Sequence, residues 1–263
     1  MTTPLLQVLI VAYGADGIRR VAAGAHPAVS GVEYLVSWQK AECEIPSELE
    51  RPDFRIVRTT TTGSASNHNN TLRLATAPLL LLADDDLSYS AEGLRGIIKA
   101  FDRHPECDIL TFKYDSDCPK RYPDIEFPIT KAPKGYYTTM FEIAFRRASL
   151  PENVRFNEHF GVNCDFCAGE EDLFLHAMLE SGMKGRFIPE TICFHPGPTT
   201  CDRKPQRELL EAKGAVFTRL KPYTWPLRMI AHALRAGEGR FFSYCSQWYS
   251  GVRKARRLKV FES

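Results

Sequence analysis

Residues Leu5–Ala12 (LLQVLIVA) form a nearly continuous apolar run, rich in branched side chains, that stops at Tyr13-Gly14. A strand with one wet face alternates apolar and polar positions; a run without alternation reads as a strand covered on both faces, as in a parallel sheet. Gly17–Ala25 suits a short helix, and Val32–Val36 and Phe54–Val57 read as the next two strands. Thr59–Gly63 is a polar loop, and Ser66 can cap a helix running to about Ala75. Leu79–Ala83 (LLLLA) is the most apolar run and ends abruptly in Asp84-Asp85-Asp86. Ser90 can cap the following helix, in which Leu94, Ile97, Ile98 and Phe101 share one face. Ile109–Tyr114 reads as a further strand. Strands alternating with helical stretches over about 115 residues predict βαβ units around a mostly parallel sheet.

Prolines punctuate Cys118–Pro133, which predicts a loop or flap, and Tyr137–Phe145 is strand-like. A helix begins near Glu170, with Leu173, Phe174, Ala177 and Met178 on one side and Gly182 near its end. Phe187–Ile188 and Ile192–Phe194 read as two short strands leading to His195-Pro196-Gly197. After Pro222 aromatic and basic residues recur at helical spacing, so a domain over 1–221 with a helical extension over 222–263 is expected.

Composition changes this picture little: 44% hydrophobic and 25% charged residues describe an ordinary globular protein, and a net charge of +2 gives nucleic-acid binding no global support. Charge distribution matters more. Residues 222–263 hold eight Arg or Lys against two Glu, a net +6, so the remaining 221 residues carry −4. Aromatic and basic residues interleaved on a helix suit peripheral contact with an anionic membrane, and equally suit packing on the core or in a dimer. The eight cysteines include one CxxC, Cys164 and Cys167, without a second pair at zinc-site spacing. With no apolar run long enough to span a bilayer, the expected location is cytoplasmic, at most peripheral on the inner face of the membrane.

Three groups can carry chemistry. Asp84, Asp85 and Asp86 crowd three carboxylates at the end of a buried strand, where mutual repulsion and burial both disfavour ionisation. A divalent cation with oxygen ligands relieves that conflict, and ligands of open α/β sheets gather at carboxyl strand ends. Gly169-Glu170-Glu171-Asp172 opens a helix whose dipole keeps a carboxylate ionised; such a group can cap the helix or accept a proton from an alcohol. His195, ending a short apolar strand, is either a structural imidazole or a metal ligand.

As a set, these segments resemble family 2 glycosyltransferases, the inverting group with a GT-A fold. VLIVAYG, VSWQ, GSASNHN, LLLLADDDL, RFNEHFG, GEEDLFLHAMLESG and FIPETICFHPG stand in the family's order over roughly residues 5–200. The resemblance implies a Rossmann-like three-layer α/β/α catalytic domain and transfer of a sugar from a UDP- or GDP-type donor to a hydroxyl of a glycan or lipid-linked glycan, in surface polysaccharide synthesis. It implies Ala12, Tyr13 and Ser37 at the nucleotide, His68 and Asn69 near the base or diphosphate, Asp84 and Asp85 at the nucleotide sugar, Asp86 and His195 on Mn²⁺ or Mg²⁺, Asp172 as catalytic base and Glu170 and Glu171 at the acceptor. Asp84–Asp86 would match the DxD motif. His68 stands where the family often has Arg or Lys, and Ser37 where it often has an acid. Two other readings compete: a haloacid-dehalogenase-like phosphatase using Asp84 and Asp86, and a sugar-nucleotide-binding protein without catalysis.

Overall fold

The computed structural model describes residues 4–197, 205–235 and 239–262. The chain divides into two compact units. The first comprises Met1–Thr62, Asn67–Arg155 and Ala177–Gly197; the second comprises Gly63–Ser66, Phe156–His176 and Pro198–Ser263.

The first unit is built on one sheet. Its strands are β1 (Leu6–Tyr13), β2 (Val32–Gln39), β3 (Phe54–Thr59), β4 (Leu79–Ala83), β5 (Ser88–Tyr89), β6 (Ile109–Ser116), β7 (Phe127–Pro128), β8 (Ile143–Arg146) and β9 (Gly185–His195). The order is β3-β2-β1-β4-β8-β6-β9-β5, with β7 beside β9. β3, β2, β1 and β4 pair in parallel, as do β6 and β9, while β8 is inserted antiparallel between β4 and β6. Two antiparallel steps leave β4 and β6 pointing the same way, so the carboxyl ends of β1, β2, β4, β6 and β9 share one edge.

Continuous apolar runs became strands covered on both faces: Leu6, Val8, Leu9 and Ile10 of β1 and Leu80, Leu81 and Leu82 of β4 have no exposed surface. Helices α1 (Gly14–Ala23) and α3 (Ala91–Arg103) bury Ile18, Val21, Leu94, Ile97 and Phe101 in the same cluster as alternate residues of these strands. Ser90 caps α3 as expected, its Oγ accepting from the Gly93 amide at 2.9 Å. Gln7, the polar interruption of the first run, is fully buried. Its carbonyl oxygen accepts from the amides of Thr76 (2.6 Å) and Ala77 (2.8 Å), which fixes the chain entering β4.

Three expectations are corrected. Helix α2 spans Ser64–Leu74, beginning two residues before Ser66. Tyr137–Phe145 is not one strand: Met140–Glu142 forms a 3₁₀ turn in which the Glu142 carboxylate accepts from the Thr139 amide at 2.6 Å, and pairing begins only at Ile143. The two short strands before His195 are one, β9. Against β6 its register jumps from Thr111↔Phe187 to Lys113↔Thr191, so a bulge takes up Pro189, which has no amide hydrogen for the ladder.

In the second unit, helices α5 (Gln206–Leu220), α6 (Trp225–Arg235) and α7 (Phe241–Leu258) enclose Leu210, Ala233, Tyr244, Trp248 and Val252. Helix α4 (Glu170–Glu180) contributes Leu173 to a neighbouring cluster with Phe160, Phe166 and Val216. Helix α5 has no counterpart in the sequence reading. The α5 and α7 backbones touch through reciprocal glycines: a Cβ on Gly251 would lie 1.9 Å from the Glu211 carbonyl oxygen, and one on Gly214 would lie 2.0 Å from that of Trp248. Gly→Ala inside a helix otherwise gains up to about 1 kcal/mol. We therefore expect Gly251→Ala to destabilise by about 1–3 kcal/mol in urea unfolding, overpacking outweighing propensity; a stabilised variant would refute this close approach.

Candidate functional site

At the shared edge of the first unit, β1, β2, β4 and β9 deliver their last residues side by side. Ala12 and Tyr13 end β1, and Ser37 lies opposite Val11 near the end of β2. One side chain of α2 ties these ends together. The Asn67 amide donates to the carbonyls of Ala12 (3.2 Å) and Ser37 (3.1 Å), and its own Oδ1 is buried without a hydrogen-bond partner. Asn70 donates to Ser37 Oγ at 2.7 Å. The Tyr13-Gly14 turn is held by the Trp38 indole, which donates to the Gly14 carbonyl at 2.8 Å. Tyr13 itself is 44% exposed at the rim. His68 is buried in α2, and burial alone drives its imidazole down to about 3, so it is neutral at physiological pH. It supplies no cation for a diphosphate. Asn69, next to it, is half-buried.

The three aspartates after β4 have separate fates. Asp85 turns toward α1 and accepts two hydrogen bonds from Arg20, both 2.8 Å. A Cβ on Gly17 would come within 2.7 Å of Asp85 Oδ2, so the carboxylate can lie on α1 only because that residue is glycine. Burial pushes the Asp85 carboxyl up, and the Arg20 pair pulls it back. Asp84 is half-buried beside it.

Asp86 faces His195, with Oδ1 and Nε2 3.6 Å apart. The cause is topological. The two residues of β5, just past Asp86, pair antiparallel with the end of β9, Ser88 opposite Phe194 and Tyr89 opposite Cys193. Ala25 anchors that turn, its amide donating to Ser88 Oγ (3.0 Å) and its carbonyl accepting from the Tyr89 amide (2.7 Å). His195 is 5% exposed, stacks on Phe141 at 5.1 Å and meets the Tyr114 ring at 6.2 Å. Asp86 Oδ1 and His195 Nδ1 are both buried without hydrogen-bond partners.

Asp86 Oδ1 and His195 Nε2, the ring nitrogen that faces it, fit a divalent cation. The 3.6 Å gap is too long for a hydrogen bond, yet shorter than two metal–ligand bonds of about 2.1 Å laid end to end. Mg²⁺-type ions take one or two protein carboxylates and complete their shell with substrate phosphates and water, so a sparse protein set at an open strand end suits them. His104, Glu106 and Cys107 also converge, but there the Arg186 guanidinium bonds the Cys107 thiol and opposes a cation.

Behind Phe141 lies a group that sequence reasoning missed. Glu142 is fully buried; Lys120 pairs with it at 2.9 and 3.0 Å, and the Tyr122 hydroxyl also donates to it. The Lys120 ammonium lies over the rings of Tyr122, Tyr136 and Tyr137. The expected flap is thus irregular in backbone but pinned at a buried ion pair. Burial raises the Glu142 carboxyl against the pull of Lys120.

In the second unit, α4 opens with the other three acids. Asp172 is solvent-exposed on the first turn, and its charge partly offsets the burial that lowers Lys213. Glu171 is half-buried. The carboxyl of Glu170, expected at the acceptor, turns toward the Ser64 hydroxyl at 3.5 Å, and its Oε2 is buried without a hydrogen-bond partner. Ser64 in turn exchanges hydrogen bonds with the Val162 backbone. Gly161 leaves the room, since a Cβ there would overlap Ser64 Oγ at 2.1 Å.

Burial raises Glu170 from the ordinary 4.5 to about 7. Between those values the folded chain keeps a proton that the unfolded chain releases, so stability falls as pH rises through this window, by up to about 3 kcal/mol. We expect Glu170→Gln to remove that fall in chemical unfolding measured from pH 4.5 to pH 7.5; an unchanged slope would show that Glu170 ionises normally.

A sequence model described as glycosyl transferase family 2 matches residues 33–169, just over half of the chain. That segment contains the Asp84–Asp86 run claimed by the phosphatase reading. No curated protein sequence matches. Among solved structures, S. aureus TarS 1-349 in complex with UDP-GlcNAc superposes with a TM-score of 0.63 at 13% identity, over 94% of this chain and 81% of that one. Its complex with UDP gives 0.58 at 14%, over 97% and 91%. The mannosyltransferase PcManGT from Pyrobaculum calidifontis, in complex with GDP-Man and Mn²⁺, gives 0.58 at 16%, over 98% and 76%. These likenesses show the GT-A fold.

Proposed function

This chain belongs to glycosyl transferase family 2, and we propose that it moves a sugar from a UDP- or GDP-type nucleotide-diphosphate donor to a hydroxyl of a glycan or lipid-linked glycan, with inversion at the anomeric carbon. The observation that carries the donor half is the buried Asp86 Oδ1, without a hydrogen-bond partner, facing His195 Nε2 at 3.6 Å at the carboxyl edge of the sheet. The ligands of the structural neighbours, UDP-GlcNAc in one and GDP-Man with Mn²⁺ in another, support the donor class. Surface polysaccharide synthesis is the setting the family resemblance favours.

In this reading Asp86 and His195 hold Mn²⁺ or Mg²⁺, which when bound supplies Lewis-acid charge to the leaving diphosphate. Asp84 and Asp86 are the outer members of a DxD motif, Asp84 toward the ribose. Asp85, committed to Arg20, orients the other two. Tyr13 and Ser37 flank the nucleoside, and the unpartnered Asn67 Oδ1 offers an acceptor to a base N–H. His68, being neutral, shapes the pocket with Asn69 rather than countering phosphate charge.

Asp172 is the base. Its carboxylate accepts the acceptor hydroxyl proton as that oxygen bonds to the anomeric carbon, while the opposite carbon–oxygen bond breaks and its electrons leave with the diphosphate. One displacement inverts the centre and needs no covalent enzyme intermediate. Asp172 is exposed on the first turn of α4, and Glu171 beside it contacts the acceptor.

The test combines a donor screen with one substitution. UDP, GDP, CMP and dTDP, each with and without Mn²⁺, are compared by thermal unfolding; the cognate diphosphate at about 100 times its Kd adds roughly 2.7 kcal/mol, an effect lost in Asp86→Ala. With that donor, Asp172→Asn lowers kcat by about 10²–10⁴ and leaves donor affinity unchanged. A fully active Asp172→Asn would remove Asp172 from the mechanism, and no shift with any nucleotide would remove the donor assignment.

A further inference from the structure

Helix α6 buries one side and leaves an apolar stripe on the other. Ala233 is fully buried, and Trp225 and Met229 pack beside it with Trp248. Leu227, Ile230 and Leu234, spaced i, i+3, i+7, form an opposite face and are 69%, 41% and 69% exposed. Tyr223, one turn earlier, is 95% exposed. On α7, Phe242 and Tyr249 share an outward face and are 85% and 46% exposed. Tyr249 stacks on Trp225 at 6.3 Å, so the two faces adjoin. Arginines border them: Arg228 and Arg235 along one side of the α6 stripe, and Arg253, Arg256 and Arg257 following Tyr249 on α7, all exposed.

A water-facing helix has no reason to carry leucines at the centre of its outer face, and an apolar stripe this exposed marks a contact surface. Charge selects the occupant. A second copy meeting face to face would set these arginines against one another. A nucleic acid would use the arginines but gain little from Leu227, Ile230 and Leu234, which offer no stacking surface. An anionic bilayer uses both, with apolar side chains entering the acyl boundary, aromatic rings at the headgroups and arginines on lipid phosphates. Among the described residues no helix is long and apolar enough to cross a membrane, so the contact is interfacial.

We propose that the outer faces of α6 and α7 form a docking surface for an anionic lipid membrane. This stands independently of the transferase reading, because binding is measured without donor or acceptor.

The intact chain is sedimented with vesicles of phosphatidylcholine containing about one-third phosphatidylglycerol, and with phosphatidylcholine alone. Binding is expected only to the first, and is expected to weaken with added salt. Arg228→Gln and Arg235→Gln each lower the partition coefficient by about fivefold. The triple substitution Leu227→Ser, Leu234→Ser, Phe242→Ser abolishes binding; it touches exposed positions only, and unchanged thermal unfolding verifies the fold. Equal binding to both vesicles, or none, overturns the proposal. So does sedimentation velocity showing a wild-type dimer that the triple substitution converts to monomer, since the face would then join two copies.

Discussion

Burying both faces of β1, β2 and β4 is the constraint from which the rest of the first unit follows. Side chains along these strands have no water on either side, so charge can be placed only where the strands end. Because β1, β2 and β4 run parallel, and β9 runs the same way across β8 and β6, those ends fall on one edge. Polar groups from distant parts of the sequence therefore collect there without any loop having to carry them far. Gln7, the exception inside β1, is satisfied by the Thr76 and Ala77 amides at its oxygen and by the Glu33 carboxylate at its amide, and so stays inert.

Three adjacent carboxylates at one strand end are tolerable because they do not share an environment. Arg20 holds Asp85 against α1 in a two-point ion pair, which fixes the backbone on either side and leaves Asp86 facing His195. The arrangement spends one acid to orient another. His195 is fixed by aromatic stacking on Phe141 rather than by a hydrogen bond to Nδ1, and Phe141 adjoins the buried Lys120–Glu142 pair. The imidazole thus rests on a rigid support that extends into the proline-rich segment.

The long elements were legible because their pattern is redundant. LLLLA, LLQVLIVA and the Leu94, Ile97, Phe101 stripe each have one arrangement that buries them, and each adopts it. Meeting points were less legible. That Asp86 would face His195 follows from a two-residue strand, β5, too short to register as a pattern. Arg20 carries no motif, and nothing in its local sequence points 65 positions along the chain. Tyr137–Phe145 had strand composition, but Glu142 gains more from the Thr139 amide and Lys120 than from a ladder position. Phe187–Ile188 and Ile192–Phe194 read as separate strands because the apolar pattern lapses between them, where the structure runs on through a bulge. In α7 the aromatic and basic residues were open to packing or to surface contact, and they divide: Tyr244 and Trp248 pack inside, while Phe242 and Tyr249 lie outside.

The central claim is that Asp86 and His195 are a divalent-metal site completed by the donor diphosphate. The most direct measurement is Mn²⁺ binding followed by electron paramagnetic resonance, with free ion titrated onto the protein alone and with UDP or GDP. The account predicts weak binding to the protein alone, at least about tenfold tighter with the cognate diphosphate because phosphate oxygens complete the shell, and loss of both in Asp86→Ala and His195→Ala. Binding of equal strength in both variants would place the metal elsewhere and contradict the site described for this edge of the sheet.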